Sequence, residues 1–163
     1  MSNNLLEITP GEGLGSIKFG MTREQIQTML GEPDEKESYT HDEQGEDITE
    51  SWHYDDKEIS VSFEKVEGWK LCTIAVSDPA CTLDGHNIIG MTREELEDVL
   101  EDMGITELIE DDWSTDETPD YISLTCEDQE IVFWIEEGIV MDVQWGPFFI
   151  DEDTIRWPLN GAH

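Results

Sequence analysis

Apolar residues recur at helical spacing in two short stretches of this chain and at alternate positions in six others. Ile26, Met29 and Leu30 make the first helical set; Leu96, Val99, Leu100 and Met103 make the second. Both sets open on the same pentapeptide, Gly-Met-Thr-Arg-Glu, at 20–24 and again at 90–94, and a glycine stands five residues before each copy, at Gly15 and Gly85. Thr22 and Thr92 are suited to cap these helices. Gln25 and Glu95, three residues on, complete capping boxes in which side chain and backbone satisfy each other's orphan groups. Gly31 and Gly104 are placed to end the helices in left-handed geometry, and Pro33 bars continuation of the first.

Alternation follows each helix. In the first half it covers 51–54, 59–64 and 71–77; in the second, 121–126, 130–135 and 139–145. Turn-forming residues separate the segments, notably Glu67-Gly68 and Glu137-Gly138. Short strands joined by tight turns predict antiparallel meanders. The repeat therefore predicts an α+β fold. Two tandem helix-plus-antiparallel-sheet units, 1–80 and 81–163 with a C-terminal extension, form one continuous sheet with the helices on one face.

The alternation also assigns faces. Ile59, Val61 and Phe63 point one way, and Ser60, Ser62 and Glu64 the other; Ile131, Phe133 and Ile135 match the first set. Where the first repeat has serines, the second has Val132 and Trp134. That apolar pair is either a binding surface or is covered, and the aromatic C-terminal segment from Phe148 to Trp157 is the favoured cover.

Charge changes the picture. The chain carries 41 acidic and 8 basic residues, a net of −33, with 23 acidic and two basic groups in 81–163 alone. Such a field opposes binding to nucleic acid or to an anionic membrane surface. It favours encounter with a basic protein. Acidity kept for solubility or for a salty surrounding is the competing account. The N-terminal residues form no signal peptide, and no run approaches the ~18 apolar residues of a membrane helix. Three cysteines, odd and sparse, predict reduced thiols in the cytoplasm.

Few residues suggest chemistry. No carboxylate pair stands out by spacing as an acid–base dyad. Acidic residues 110–120 lack the ligand spacing and turn glycine of a calcium loop. The four histidines pair with no cysteine at zinc-ligand spacing, so neither metal nor cofactor is predicted. The working surface is instead assigned to Val132 and Trp134 with the acidic residues Glu110, Asp111, Asp112, Asp116 and Glu117, joined by Glu43, Glu46 and Asp47 of the first repeat.

The segment 17–26, Ile-Lys-Phe-Gly-Met-Thr-Arg-Glu-Gln-Ile, with its second copy at 88–93 and the hairpin 133–140, resembles the β-lactamase inhibitory proteins, which are also tandem repeats. The glycine-Met-Thr pattern with Gly31-Glu32-Pro33 is similar to the small outer-membrane assembly lipoproteins. The resemblance implies two helix-plus-sheet units with sheets side by side and a concave open face. The cysteine spacing, the segment 39–50 and the lack of an N-terminal cysteine depart from those families, so no inhibitory residue is carried over. The expected function is a non-catalytic, protein-binding module of inhibitor or immunity type that masks a basic partner. A soluble assembly accessory binding through a sheet edge is the alternative; an enzyme of unknown class is disfavoured. Monomer and homodimer both remain open.

Overall fold

A computed structural model describes residues 7–15, 17–149 and 154–156. Its strands are β1 (Glu7–Thr9), β2 (Gly13–Leu14), β3 (Ile17–Lys18), β4 (Glu35–Thr40), β5 (Ile48–Tyr54), β6 (Ile59–Glu64), β7 (Lys70–Val76), β8 (Thr82–Leu83), β9 (His86–Asn87), β10 (Ile109–Asp112), β11 (Tyr121–Cys126), β12 (Ile131–Glu136), β13 (Ile139–Trp145), β14 (Phe148–Phe149) and β15 (Ile155–Arg156). The helices are α1 (Arg23–Leu30) and α2 (Arg93–Asp102).

The pentapeptides start both helices. Thr22 accepts from the Gln25 amide while the Gln25 side chain accepts from the Thr22 amide, and Thr92 and Glu95 do the same. Gly31 closes α1 at φ 87° with ψ −164°, a positive-φ conformation with extended rather than left-handed helical ψ. Each pentapeptide also docks on a central strand. Gly20 donates to the Leu71 carbonyl and Met21 accepts from Leu71; Gly90 and Met91 repeat this with Val140.

The predicted single continuous sheet of two α+β repeats is corrected. The fold is mostly β, with 46% strand and 16% helix. It has an eight-stranded sheet in the order β10-β11-β12-β13-β7-β6-β5-β4, a separate five-stranded sheet, β3-β2-β1-β8-β9, and a β14-β15 ribbon. In the smaller sheet β1 runs parallel to β8, pairing Ile8 with Leu83. Strands of two or three residues are too short to show alternation, which is why this sheet left no pattern in the sequence. In the larger sheet β13 meets β7 through Val143–Val76 and Trp145–Ile74.

Val61, Phe63, Phe133 and Ile135 on the inner face of the large sheet share one core with Ile26 of α1, Leu96 and Leu100 of α2, and Leu14 and Leu83 of the small sheet. Trp145 ties the two sheets, donating its indole N–H to the Gly13 carbonyl at 3.2 Å. The opposite face of the large sheet presents Ser60, Ser62, Val132 and Trp134, all half-buried. At its borders β10 is wholly exposed and β4 nearly so, and both carry mainly charged and polar side chains. No helix among the described residues is long and apolar enough to cross a membrane.

Candidate functional site on the open sheet face

Directly opposed residues of an antiparallel ladder share a face. The register therefore lines up Asp111, Ser123, Trp134 and Asp142 across β10, β11, β12 and β13 on the open side. Trp134 stacks on Tyr121 with centroids 5.5 Å apart and ring planes 20° apart. On its other flank Trp113 lies at 5.9 Å, tilted by 55°. Trp113 is 53% exposed, yet it is held: its indole N–H reaches the Ser123 hydroxyl at 2.9 Å, and its amide donates to the Tyr121 carbonyl. The result is a ledge of three aromatic rings, half open to solvent.

Among the described residues the rings that meet Trp134 are Trp113 and Tyr121, both from its own half of the chain, and much of the C-terminal segment expected to cover it lies outside the described residues. The chain leaves β13 at Gly146 and passes Pro147, which bridges to Gly11, and the Phe148 ring lies so close to Gly11 that a Cβ there would stand 2.5 Å from it. Val132 does share a groove of about 550 Å3 with Pro147 and Ile155. Trp157 lies outside the described residues. Neither Trp113 nor Tyr121 was singled out from the sequence. Trp113 sits in an acidic, aperiodic stretch, and only its pairing with Ser123 in space places it on the ledge.

Asp142, opposite Trp134, completes the feature. Its Oδ1 is buried and has no hydrogen-bond partner among the described residues. Burial pushes its carboxyl up to about 6, against the weaker opposing pull of the Val143 amide. It shares a cleft of about 400 Å3 with Ser60, Ser77 and His53. There the His53 Nδ1 is 2.8 Å from Ser60 Oγ and its Nε2 is 2.6 Å from Glu37 Oε1. Glu, His and Ser in a row could pass a proton. Acyl transfer would also require N–H donors aimed at the reacting centre. Ser60 lies on an interior strand paired on both sides, so its neighbouring amides belong to the ladders. The three free cysteines are buried, and burial pushes the Cys72 and Cys81 thiols up to about 12, leaving them protonated and poorly nucleophilic.

The acidic candidates separate. Asp111 lies on the open face beside the ledge, and Asp116 and Glu117 are in the adjoining loop, both exposed. Asp112 accepts from Ser114, whose hydroxyl and amide hold its carboxyl below the usual range. Glu110 pairs with Leu124, toward the inner face, where Arg93 of the second pentapeptide binds it at 2.6 Å. Arg23 of the first pentapeptide binds Glu50 at 3.1 Å in the same way. The repeated arginines thus bind acidic strands as well as belonging to the helix-starting motif, a role the sequence reading did not assign. Glu43, Glu46 and Asp47 sit in the β4–β5 loop at the far border. With about 4.8 Å per strand, seven strand intervals put them on the order of 34 Å from β10, so they do not join the ledge.

Comparison with protein-family models, characterised proteins and solved structures finds no match. The resemblance to the inhibitory proteins and assembly lipoproteins rests on the motif residues alone.

Proposed function

We propose that this chain is a non-catalytic binding module that takes a basic protein segment onto the open face of its eight-stranded sheet, as an inhibitor or immunity-type protein would. The observation that carries this reading is the buried, unpartnered Asp142 oxygen beside the Trp113–Trp134–Tyr121 ledge. A lysine or arginine from a partner would supply the missing hydrogen bond. Its alkyl or guanidinium portion would lie against the rings, where cation–π attraction contributes about 0.5–2 kcal/mol. Asp111, Asp116 and Glu117 would steer the encounter. Three free, buried cysteines support a reducing compartment such as the cytoplasm. Docking through a sheet edge is opposed by the charge on β4 and β10.

The test is titration of the protein with a panel of lysine- and arginine-rich peptides and small basic proteins at 0.05 and 0.3 M salt. One probe should bind well above the rest, retain affinity at the higher salt, and lose at least tenfold with Trp134→Ala. Equal binding of every polycation, abolished by salt and indifferent to Trp134, would overturn the reading.

A further inference from the structure

The border of the large sheet farthest from the aromatic ledge gathers a different set of groups. His41 follows β4, Asp47 precedes β5 and Glu64 ends β6. One ligand atom of each lies within 4.8 Å of those of the other two. The geometry points to a site for a divalent transition metal of the zinc class, held by His41, Asp47 and Glu64.

Thr49 marks the point of convergence. Its hydroxyl oxygen is 2.7 Å from His41 Nε2 and 2.9 and 3.0 Å from the two carboxylate oxygens of Glu64. An imidazole and a carboxylate from separate strands therefore already aim at one spot between them. Metal–ligand bonds of about 2.0–2.2 Å set neighbouring donor atoms roughly 3–3.5 Å apart, so small side-chain rotations bring the present set into a coordination shell. His41 is exposed and tethered only through Thr49, while Asp47 and Glu64 are half-buried.

The backbone that carries Asp47 is fixed independently of any ion. The Asp42 carboxylate accepts from the amides of Glu46 and Asp47, and the Lys65 ammonium donates to the Gly45 carbonyl at 3.1 Å. The His41 amide donates to the Asp47 carbonyl, which places the two ligands at the neck of one loop. Charge argues the same way. Two carboxylates converge here, and none of the ion pairs among the described residues involves either of them.

The donor set selects the ion. A neutral imidazole with two carboxylates suits zinc, cobalt, nickel or manganese, whereas calcium and magnesium prefer oxygen alone. Three protein ligands leave at least one coordination position for water or an external group. A bound ion would also fasten exposed β4 and its loop to β6. The sequence reading missed the set because its spacing follows no metal motif: the ligands meet through strand pairing.

Titration of the full chain with Zn2+ against a chromophoric chelator in 0.15 M salt tests this. One equivalent should bind, with millimolar Mg2+ or Ca2+ failing to displace it. His41→Ala and Glu64→Gln should each weaken that equivalent at least tenfold, and Asp111→Asn, in the distant acidic patch, should leave it unchanged. Imidazole NMR signals of the unaltered protein give a second readout, in which His41 alone among the histidines should shift at stoichiometric Zn2+. Weak binding of many ions, insensitive to His41→Ala, or a His41 signal that stays in place, would overturn the site.

Discussion

The indole N–H of Trp113 donates to the hydroxyl of Ser123 at 2.9 Å, and Ser123 is only 2% exposed. A buried hydroxyl on a sheet thus anchors a ring that is itself half in water. The hydrogen bond sets Trp113 beside Trp134 rather than free in its loop. Trp113→Phe keeps a ring but removes the donor, so it should cost about 1 kcal/mol of stability in urea unfolding. It should also weaken capture of the selected basic probe, because the ledge loses a fixed wall.

Asp142 gives a pH prediction of definite sign. Its carboxyl titrates near its ordinary 3.8 when unfolded and at about 6 when folded. Between these values the folded chain holds a proton that the unfolded chain has released, so stability falls as pH rises through the window. The penalty is absent below about pH 4 and complete above about pH 6. Two units correspond to roughly 3 kcal/mol at most, and partial solvent access lowers that. Asp142→Asn should therefore raise the urea midpoint at pH 7 and leave it nearly unchanged at pH 3.5. The same variant should bind the basic probe less well, so stability and binding move in opposite directions.

Gly13 lies where the small sheet touches the large one. At φ 151°, a Cβ there would stand 1.9 Å from the Ile17 carbonyl oxygen, which is backbone and has nowhere to go. Gly13→Ala should cost several kcal/mol, on the scale of other forced backbone conformations. Trp145→Phe, which removes the N–H that binds the Gly13 carbonyl together with part of a fully buried ring, should cost about 2–4 kcal/mol through the buried acceptor and the cavity left behind. Thermal unfolding of both variants checks the order.

The two capping boxes are equivalent in geometry and far apart in sequence. Thr22→Ala and Thr92→Ala should each lower stability by about 1 kcal/mol, and the double variant by their sum. Denaturant titration of the three variants is the measurement. A double variant far worse than the sum would show that the helices support one another directly.

What the sequence disclosed follows from where the signals were local. Thr22 with Gln25 and Thr92 with Glu95 lie three residues apart, so the helix starts could be read from adjacent letters. Ile59, Val61 and Phe63 alternate within one strand and declared their face. β4 and β10 had no such alternation: Glu35–Thr40 and Ile109–Asp112 are exposed strands at the border, where charge replaces the apolar face, and they read as loops. The small sheet depends on Ile8 meeting Leu83 across the chain, a pairing no window can contain. The candidate site divided likewise. Trp134 and Asp111 were visible as an apolar intruder and an acid, but Trp113, Tyr121 and Asp142 joined them only through register. Glu110 was assigned to the acidic binding surface, and its pairing with Arg93 was not foreseen because Arg93 was read only as part of a helix start.

Among the described residues both borders of the large sheet, Glu35–Thr40 and Ile109–Asp112, have no neighbouring strand on their outer side, and carboxylates surround them. A second copy of the chain approaching either border would meet its own sign of charge before any ladder could form. The acid excess therefore works as insulation along the rim. It opposes growth of the sheet in the two directions in which a sheet most readily grows.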